Sequence, residues 1–271
     1  MPFSDSAGIQ YFYFSRLREA GLTHGIFTRR GGVSPEPWGS LNAGSLVGDA
    51  PERVAENLER ACRALGRASS GLRFVRQVHG NDVLVVAGGS DDWGTVTDRL
   101  QPSAMPEADA IVTSSPALTP AMRFADCVPI LLFDPVAGAT GIAHAGWRGT
   151  LLNVAGSAVA AMSRAFGTDP ADVLAGIGPS ICPQHYEVGP EVVAEVEKVF
   201  AGDVSPVIRS GNGRSHLDLW SANRLLLQAA GVEAIELARE CTAEQLKRWY
   251  SHRGEDGVTG RFAAMVGLAD G

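Results

Sequence analysis

Apolar and polar residues follow two different periods along this chain, and the period changes from segment to segment. Between Asp49 and Leu65 the apolar positions Val54, Leu58, Cys62 and Leu65 recur at helical spacing. That pattern predicts an amphipathic helix, with Asp49 placed to cap it and Pro51 in its first turn. Cys62 then reads as a core residue, because a free cysteine packs like a small hydrophobe. Further helices are predicted over 150–166, 190–200 and 218–230, the last capped by Asp218. Short aliphatic and β-branched runs predict strands over 74–78, 83–86, 110–112, 128–133, 140–145, 174–177, 235–237 and 262–268. The Gly/Asp-rich stretch 88–106 reads as a long surface loop, and residues 1–10 as a flexible N-terminal arm. Hairpins mixed with scattered helices predict an α+β fold with mixed sheets rather than a βαβ series. No repeat or linker divides the sequence, so the expectation is a single domain over 1–271.

Composition narrows the function classes. With 45% hydrophobic and 20% charged residues, the chain reads as an ordinary globular protein. A net charge of -7 argues against a general nucleic-acid partner, which would require a basic face. No apolar run approaches the ~18 residues of a membrane span, and the N-terminal sequence lacks the features of a secretory signal. The expectation is a cytoplasmic protein with no membrane partner, a monomer or weak homo-oligomer. Its four cysteines form no CxxC pair and are expected as reduced thiols.

One segment carries chemistry. The apolar run after Cys127 ends in an Asp134-Pro135 turn, and the next run leads to His144. If the hairpin turns midway between Pro135 and Val136, Cys127 faces His144 with Cβ atoms about 5 Å apart. A one-residue slip would place them on opposite faces. His79, between a strand and the Gly80 turn, offers a third donor. Three dispersed Cys/His ligands with an open fourth position suit a catalytic zinc; the same spacing also suits a buried cysteine and two unrelated hydrogen-bonded histidines. Arg148, before the helix expected at Thr150, is a candidate anion contact. Arg29, in the loop Arg29-Arg30-Gly31-Gly32, could reach over a ligand. Asp126 could orient a ligand histidine or carry a proton, although strand alternation turns it from Cys127. His185, His216 and His252 read as structural or surface residues.

Several of these segments resemble one family: His24 to Ser34, Ser40-Leu41-Asn42, Gln77-Val78-His79-Gly80, Ala108-Asp109-Ala110, Ala125 to Pro129, and Ala143 to Gly149. The late segments Gly178-Pro179-Ser180-Ile181, Glu187-Val188-Gly189, Cys241-Thr242, Ser251-His252-Arg253 and Thr259-Gly260-Arg261 match as well. Together they resemble the laccase-domain family, also called the polyphenol oxidase or peptidoglycan editing factor family, of YfiH type. The resemblance implies a mixed β-sandwich with helices on both outer faces, four layers ordered α/β/β/α. It implies a zinc held by His79, Cys127 and His144, with Cu2+ as another metal claimed for the family. Cys127, Asp126 and Arg148 are then candidates for catalysis, and Arg29 and Asn42 for ligand binding. The implied activities are phosphorolysis of adenosine, inosine and methylthioadenosine, and adenosine deamination, with purine nucleosides and phosphate as small-molecule partners. Copper-dependent phenol oxidation is the oxidoreductase alternative, but only two of the chain's six histidines fall in the cluster. A metal-free hydrolase using Cys127 and His144, or a non-enzymatic metal-held surface, are further readings. The chain departs from the family pattern at Leu58 after Glu56-Asn57 and at Gly254 after His252-Arg253, so no phosphate role is carried to those positions.

Overall fold

The computed structural model describes residues 2–88, 95–200, 203–211 and 213–269. Two six-stranded sheets and one three-stranded sheet organise the described residues. The first large sheet holds β1 (Phe3–Ser6), β2 (Ile9–Phe12), β3 (Thr23–Phe27), β4 (Leu72–Arg73), β7 (Thr119–Phe124) and β15 (Phe262–Gly267), in the order β1-β2-β3-β15-β7-β4. The second holds β5 (Val83–Val86), β6 (Ala110–Thr113), β8 (Val128–Asp134), β9 (Ala139–Ala145), β10 (Leu174–Ile177) and β14 (Ala234–Leu237), in the order β14-β10-β8-β9-β6-β5. The small sheet comprises β11 (Glu187–Val188), β12 (Ile208–Gly211) and β13 (Arg214–Leu217). Helices are α1 (Ser15–Glu19), α2 (Pro51–Ala64), α3 (Val96–Arg99), α4 (Trp147–Leu151), α5 (Val154–Phe166), α6 (Pro190–Val199) and α7 (Leu219–Ala229).

Strand alternation divides the core into layers. In β8, Leu131 and Phe133 join the cluster between the two large sheets, whereas Val128, Ile130 and Leu132 join the cluster under α5, α6 and α7. In β15, Phe262, Ala264 and Val266 face the other sheet, while Ala263 and Met265 pack with α2 and α3. Both sheets are therefore apolar on both faces, each sandwiched between a helix layer and its neighbour. This is the α/β/β/α arrangement of the expected α+β fold.

The differences from the sequence reading have local causes. Residues 1–10, expected as an arm, carry β1 and the start of β2, and register Phe3 against Phe12 at the sheet edge. The helix expected over 150–166 begins at Trp147 and breaks at Asn153. That residue has φ 60° and caps α5 through its side chain, which accepts from the Gly156 amide. Residues 74–78 do not form the expected strand, apart from a bridge between Arg76 and Glu107. Within the loop expected over 88–106, residues 89–94 lie outside the described set. Residues 95–105 form α3 and a 3-10 turn whose Val96, Leu100 and Met105 enter the core. Strand β7 went unread because its residues are buried on both faces and do not alternate in polarity.

Candidate metal centre and cleft

The β8–β9 hairpin closes with Asp134 opposite Ala139, so its loop is residues 135–138 with Gly138 at φ 62°. The turn centre lies one residue later than expected, and His144 faces Pro129 rather than Cys127. This corrects the expected register. The shift moves each pairing by two positions, so the face on which Cys127 and His144 sit is preserved. Extending the ladder puts Gly146 across from Cys127. A Cβ on Gly146 would meet Cys127 Sγ at 3.0 Å and His79 Cδ2 at 2.9 Å. The missing side chain is what lets thiol and imidazole approach.

One donor atom from each of His79, Cys127 and His144 falls within 4.8 Å of the others. Cys127 Sγ lies 3.9 Å from His79 Nε2, and the two imidazoles meet edge to face at 4.8 Å between centroids. For bonds of about 2.3 Å to sulfur and 2.0 Å to nitrogen, a tetrahedral S–N edge is roughly 3.5 Å. The donor set and spacing therefore fit a zinc-sized thiophilic ion. His79 and Asp126 both adopt left-handed backbone, at φ 62° and 86°. Such conformations cost on the order of 1 kcal/mol or more in non-glycine residues and concentrate at functional sites.

Asp109 organises the centre. Its Oδ1 accepts from His144 Nδ1 at 2.8 Å and from the His79 amide at 3.1 Å. Its Oδ2 accepts from the amides of Val78 at 3.1 Å and Gly80 at 2.7 Å. One buried carboxylate thus fixes His144, leaving Nε2 for the centre, and pins the loop that carries His79. Burial pushes this carboxyl up. The hydrogen bond and charge of His144, with the Gly80 and Val78 amides, outweigh burial and hold it below its ordinary value. Burial likewise raises the Cys127 thiol, but the His144 charge and the hydrogen bonds of His144 and His79 bring it down to about 6. His144 is lowered by burial and raised more by Cys127 and Asp109, to about 9. Each charge thus favours the other, the thiolate form of Cys127 and the imidazolium form of His144.

The centre opens into a cleft of about 440 Å³ lined by Arg76, Arg123, Arg148, Arg253 and Arg261, with Trp147, Tyr186, Ile181 and Leu219 as apolar wall. Arg148 is exposed and stacks on Trp147 at 4.3 Å. It sits inside the five-residue α4 rather than ahead of a helix at Thr150. Arg253 lies over Tyr186 at 5.4 Å. Burial above all, then the Cys127 charge, raises the Tyr186 phenol, so it stays protonated.

Asp126 lines the cleft but does not touch the ligand histidines. Its Oδ1 accepts from Thr242 Oγ1 at 2.6 Å and Ser251 Oγ at 2.7 Å, and its Oδ2 from the Arg253 amide at 2.6 Å. Orientation of the ligand histidine therefore falls to Asp109, and Asp126 ties together the loops that form the cleft wall. Arg29 and Asn42 lie outside the cleft lining. The Arg29 guanidinium donates to the Gly39 and Leu246 carbonyls and to Glu255 Oε1 at 2.8 Å. Asn42 is buried, donating to Asp49 and Gly44 and accepting from the amides of Gly44 and Arg261. Both expected ligand contacts are thus engaged inside the fold. Sequence reasoning gave no role to Asp109, although an acid directly before the apolar run Ala110-Ile111-Val112 was a signal. Tyr186 and Arg261 reach the cleft from loops and Arg123 from β7; only Arg261, within Thr259-Gly260-Arg261, lay in a segment the sequence had singled out.

Fold and site define a class: a four-layer α/β/β/α protein with a Cys/His cluster suited to a metal ion at the floor of an arginine-lined cleft. The chain belongs to the family described as multi-copper polyphenol oxidoreductase laccase, which matches residues 23–269. It is 38% identical over 253 residues to a purine nucleoside phosphorylase of Deinococcus radiodurans, covering 93% of this chain and 92% of that protein. It is 35% identical over 241 residues to the purine nucleoside phosphorylase YfiH of Escherichia coli K12, covering 89% and 91%. The crystal structure of hypothetical protein YfiH from Bacillus licheniformis superposes with a TM-score of 0.89 at 32% identity, over 99% of both chains. That of YlmD from Geobacillus stearothermophilus gives 0.87 at 34%, again over 99% of both. No helix among the described residues is long and apolar enough to cross a membrane.

Proposed function

We propose that this chain is a cytoplasmic, zinc-dependent purine nucleoside phosphorylase acting on adenosine, inosine and methylthioadenosine, with adenosine deamination as a second outcome of the same site. The observation that carries this reading is the His79–Cys127–His144 cluster at the floor of a cleft lined by arginines. The names of the relatives supply the substrate class. His79, Cys127 and His144 would hold the ion, which when bound supplies a Lewis acid with a free coordination position. One thiolate and two imidazoles suit a single thiophilic ion better than a multi-copper cluster.

Phosphorolysis breaks the bond from C1′ to the purine nitrogen and forms one from C1′ to a phosphate oxygen. Arg148 and Arg253 offer cations to the phosphate from the cleft wall. The Tyr186 hydroxyl, kept protonated, offers a hydrogen bond to the departing purine. Trp147, Ile181 and Leu219 give the base an apolar surface. The test is chromatography of adenosine incubated with zinc-loaded protein, with and without phosphate. Phosphate-dependent adenine supports phosphorolysis, and inosine formed without phosphate supports deamination. Neither product from protein shown to contain zinc overturns the proposal.

A second reading has its own observation. Cys127, His144 and Asp109 also form a nucleophile–base–orienter series, with the thiol lowered to about 6. A metal-free cysteine hydrolase would retain activity and react with iodoacetamide whether or not zinc is present. Protection of Cys127 by zinc excludes it.

A further inference from the structure

A second cluster of metal-binding side chains lies outside this centre. Cys182 and His185 share one turn, with the His185 amide donating to the Cys182 carbonyl. Cys241 reaches them from the segment after β14, where Ser180 and Cys241 form a parallel bridge. His185 Nδ1 lies 3.1 Å from Cys182 Sγ and 3.6 Å from Cys241 Sγ. The three donor atoms fall within 4.8 Å of one another, as at the first centre. Both sulfurs are in buried residues and His185 is exposed. The S–N separations of 3.1 and 3.6 Å fall on either side of the roughly 3.5 Å edge of a tetrahedral zinc site. The bland account is a packed thiol pair beside a surface histidine. It does not explain why both sulfurs lie within hydrogen-bond range of one imidazole nitrogen, or why the Cys182 amide also points at Cys241 Sγ, at 3.4 Å.

We propose that Cys182, Cys241 and His185 form a second site for a thiophilic metal ion, Zn2+ in the first instance, with its remaining position toward solvent. Binding exchanges two S–H protons, released to solvent, for two sulfur–metal bonds, and needs no oxidant. The site clasps two segments that build the cleft wall. The Cys182–His185 turn leads directly into Tyr186, and Cys241 precedes Thr242, whose hydroxyl bonds Asp126. The ion would act as a structural clasp on the wall of the cleft, independent of what the first centre catalyses.

The test uses full-length protein stripped with a chelator under reductant and titrated with Zn2+ alone, the bound metal being measured by equilibrium dialysis and elemental analysis. Wild type takes two equivalents, and Cys127→Ser and His185→Ala take one each. Cys127→Ser combined with His185→Ala takes none. In the Cys127→Ser background Co2+ gives a thiolate charge-transfer band that the added His185→Ala removes. His185 is exposed, so its variant keeps the fold, and the wild-type and His185→Ala pair decides the question even if Cys127→Ser is unstable. One equivalent in wild type with none in Cys127→Ser, both thiols shown reduced by mass spectrometry, overturns the proposal. So does a second equivalent that survives His185→Ala, or a Cys182–Cys241 disulfide that persists in the reductant.

Discussion

Replacing Asp109 by Asn tests the organisation of the centre without touching a ligand. The carboxylate accepts four hydrogen bonds, two on each oxygen. An amide of the same shape turns one oxygen into an NH2 donor. In one orientation that donor faces the His79 amide and His144 Nδ1; in the other it faces the Val78 and Gly80 amides. Either way two buried bonds are lost and donors oppose donors. Bonds to a charged group contribute about 1.5–3 kcal/mol each, so the variant should lose roughly 3–6 kcal/mol of stability. For a chain of this size that lowers the melting temperature on the order of 10 °C. His144 has one escape: its ring can accept from the new NH2 through Nδ1, which moves its proton to Nε2 and removes the lone pair a metal needs. Zinc affinity should therefore fall about 10–100-fold, as found when partners behind metal ligands are changed. The assays are a thermal melt of metal-free protein and a competitive zinc titration against a chromophoric chelator. Wild-type zinc affinity in a folded Asp109→Asn protein would refute the assignment of Asp109 as the residue that orients His144.

Other outcomes follow from the same geometry. Gly146→Ala keeps every candidate ligand but places a methyl 3.0 Å from Cys127 Sγ and 2.9 Å from His79 Cδ2; zinc affinity should drop at least about tenfold, and normal titration would show that the ion does not need this gap. Arg148→Ala should raise the phosphate KM while leaving zinc stoichiometry intact, and an unchanged KM removes Arg148 from phosphate binding. Buried His24 accepts from the Phe14 amide at Nε2, donates from Nδ1 to the Leu22 carbonyl, and is lowered chiefly by burial from 6.5 to about 4. Between those values the unfolded chain binds a proton that the folded chain does not, so stability present above pH 6.5 is lost as pH falls toward 4, by about 3 kcal/mol. Urea melts at several pH values should show that slope in wild type and less of it in His24→Gln.

Local periodicity carried much of the architecture. The helix at Pro51–Ala64, the Asp218 cap and the strands of the second sheet are legible because each depends on residues within one turn or one strand. The first sheet was less legible. Its strands at 3–12, 23–27 and 119–124 are short or buried on both faces, so neither length nor alternation marks them.

The sequence by itself determined the helix at Pro51–Ala64 and the strands of the second sheet, and it named His79, Cys127 and His144 as donors that could meet. Parity protected the hairpin inference: the actual turn at 135–138 moved every partner yet left Cys127 and His144 on one face. Tertiary structure alone decided the rest. Asp109 lies 35 residues from His144, and Cys182 lies 59 from Cys241. Contacts at such separations depend on which strands pair and which loops return to the same sheet edge, and no period along the chain encodes that. The same physics withdrew Arg29 and Asn42 from the cleft, because burial required their polar groups to find partners inside the fold.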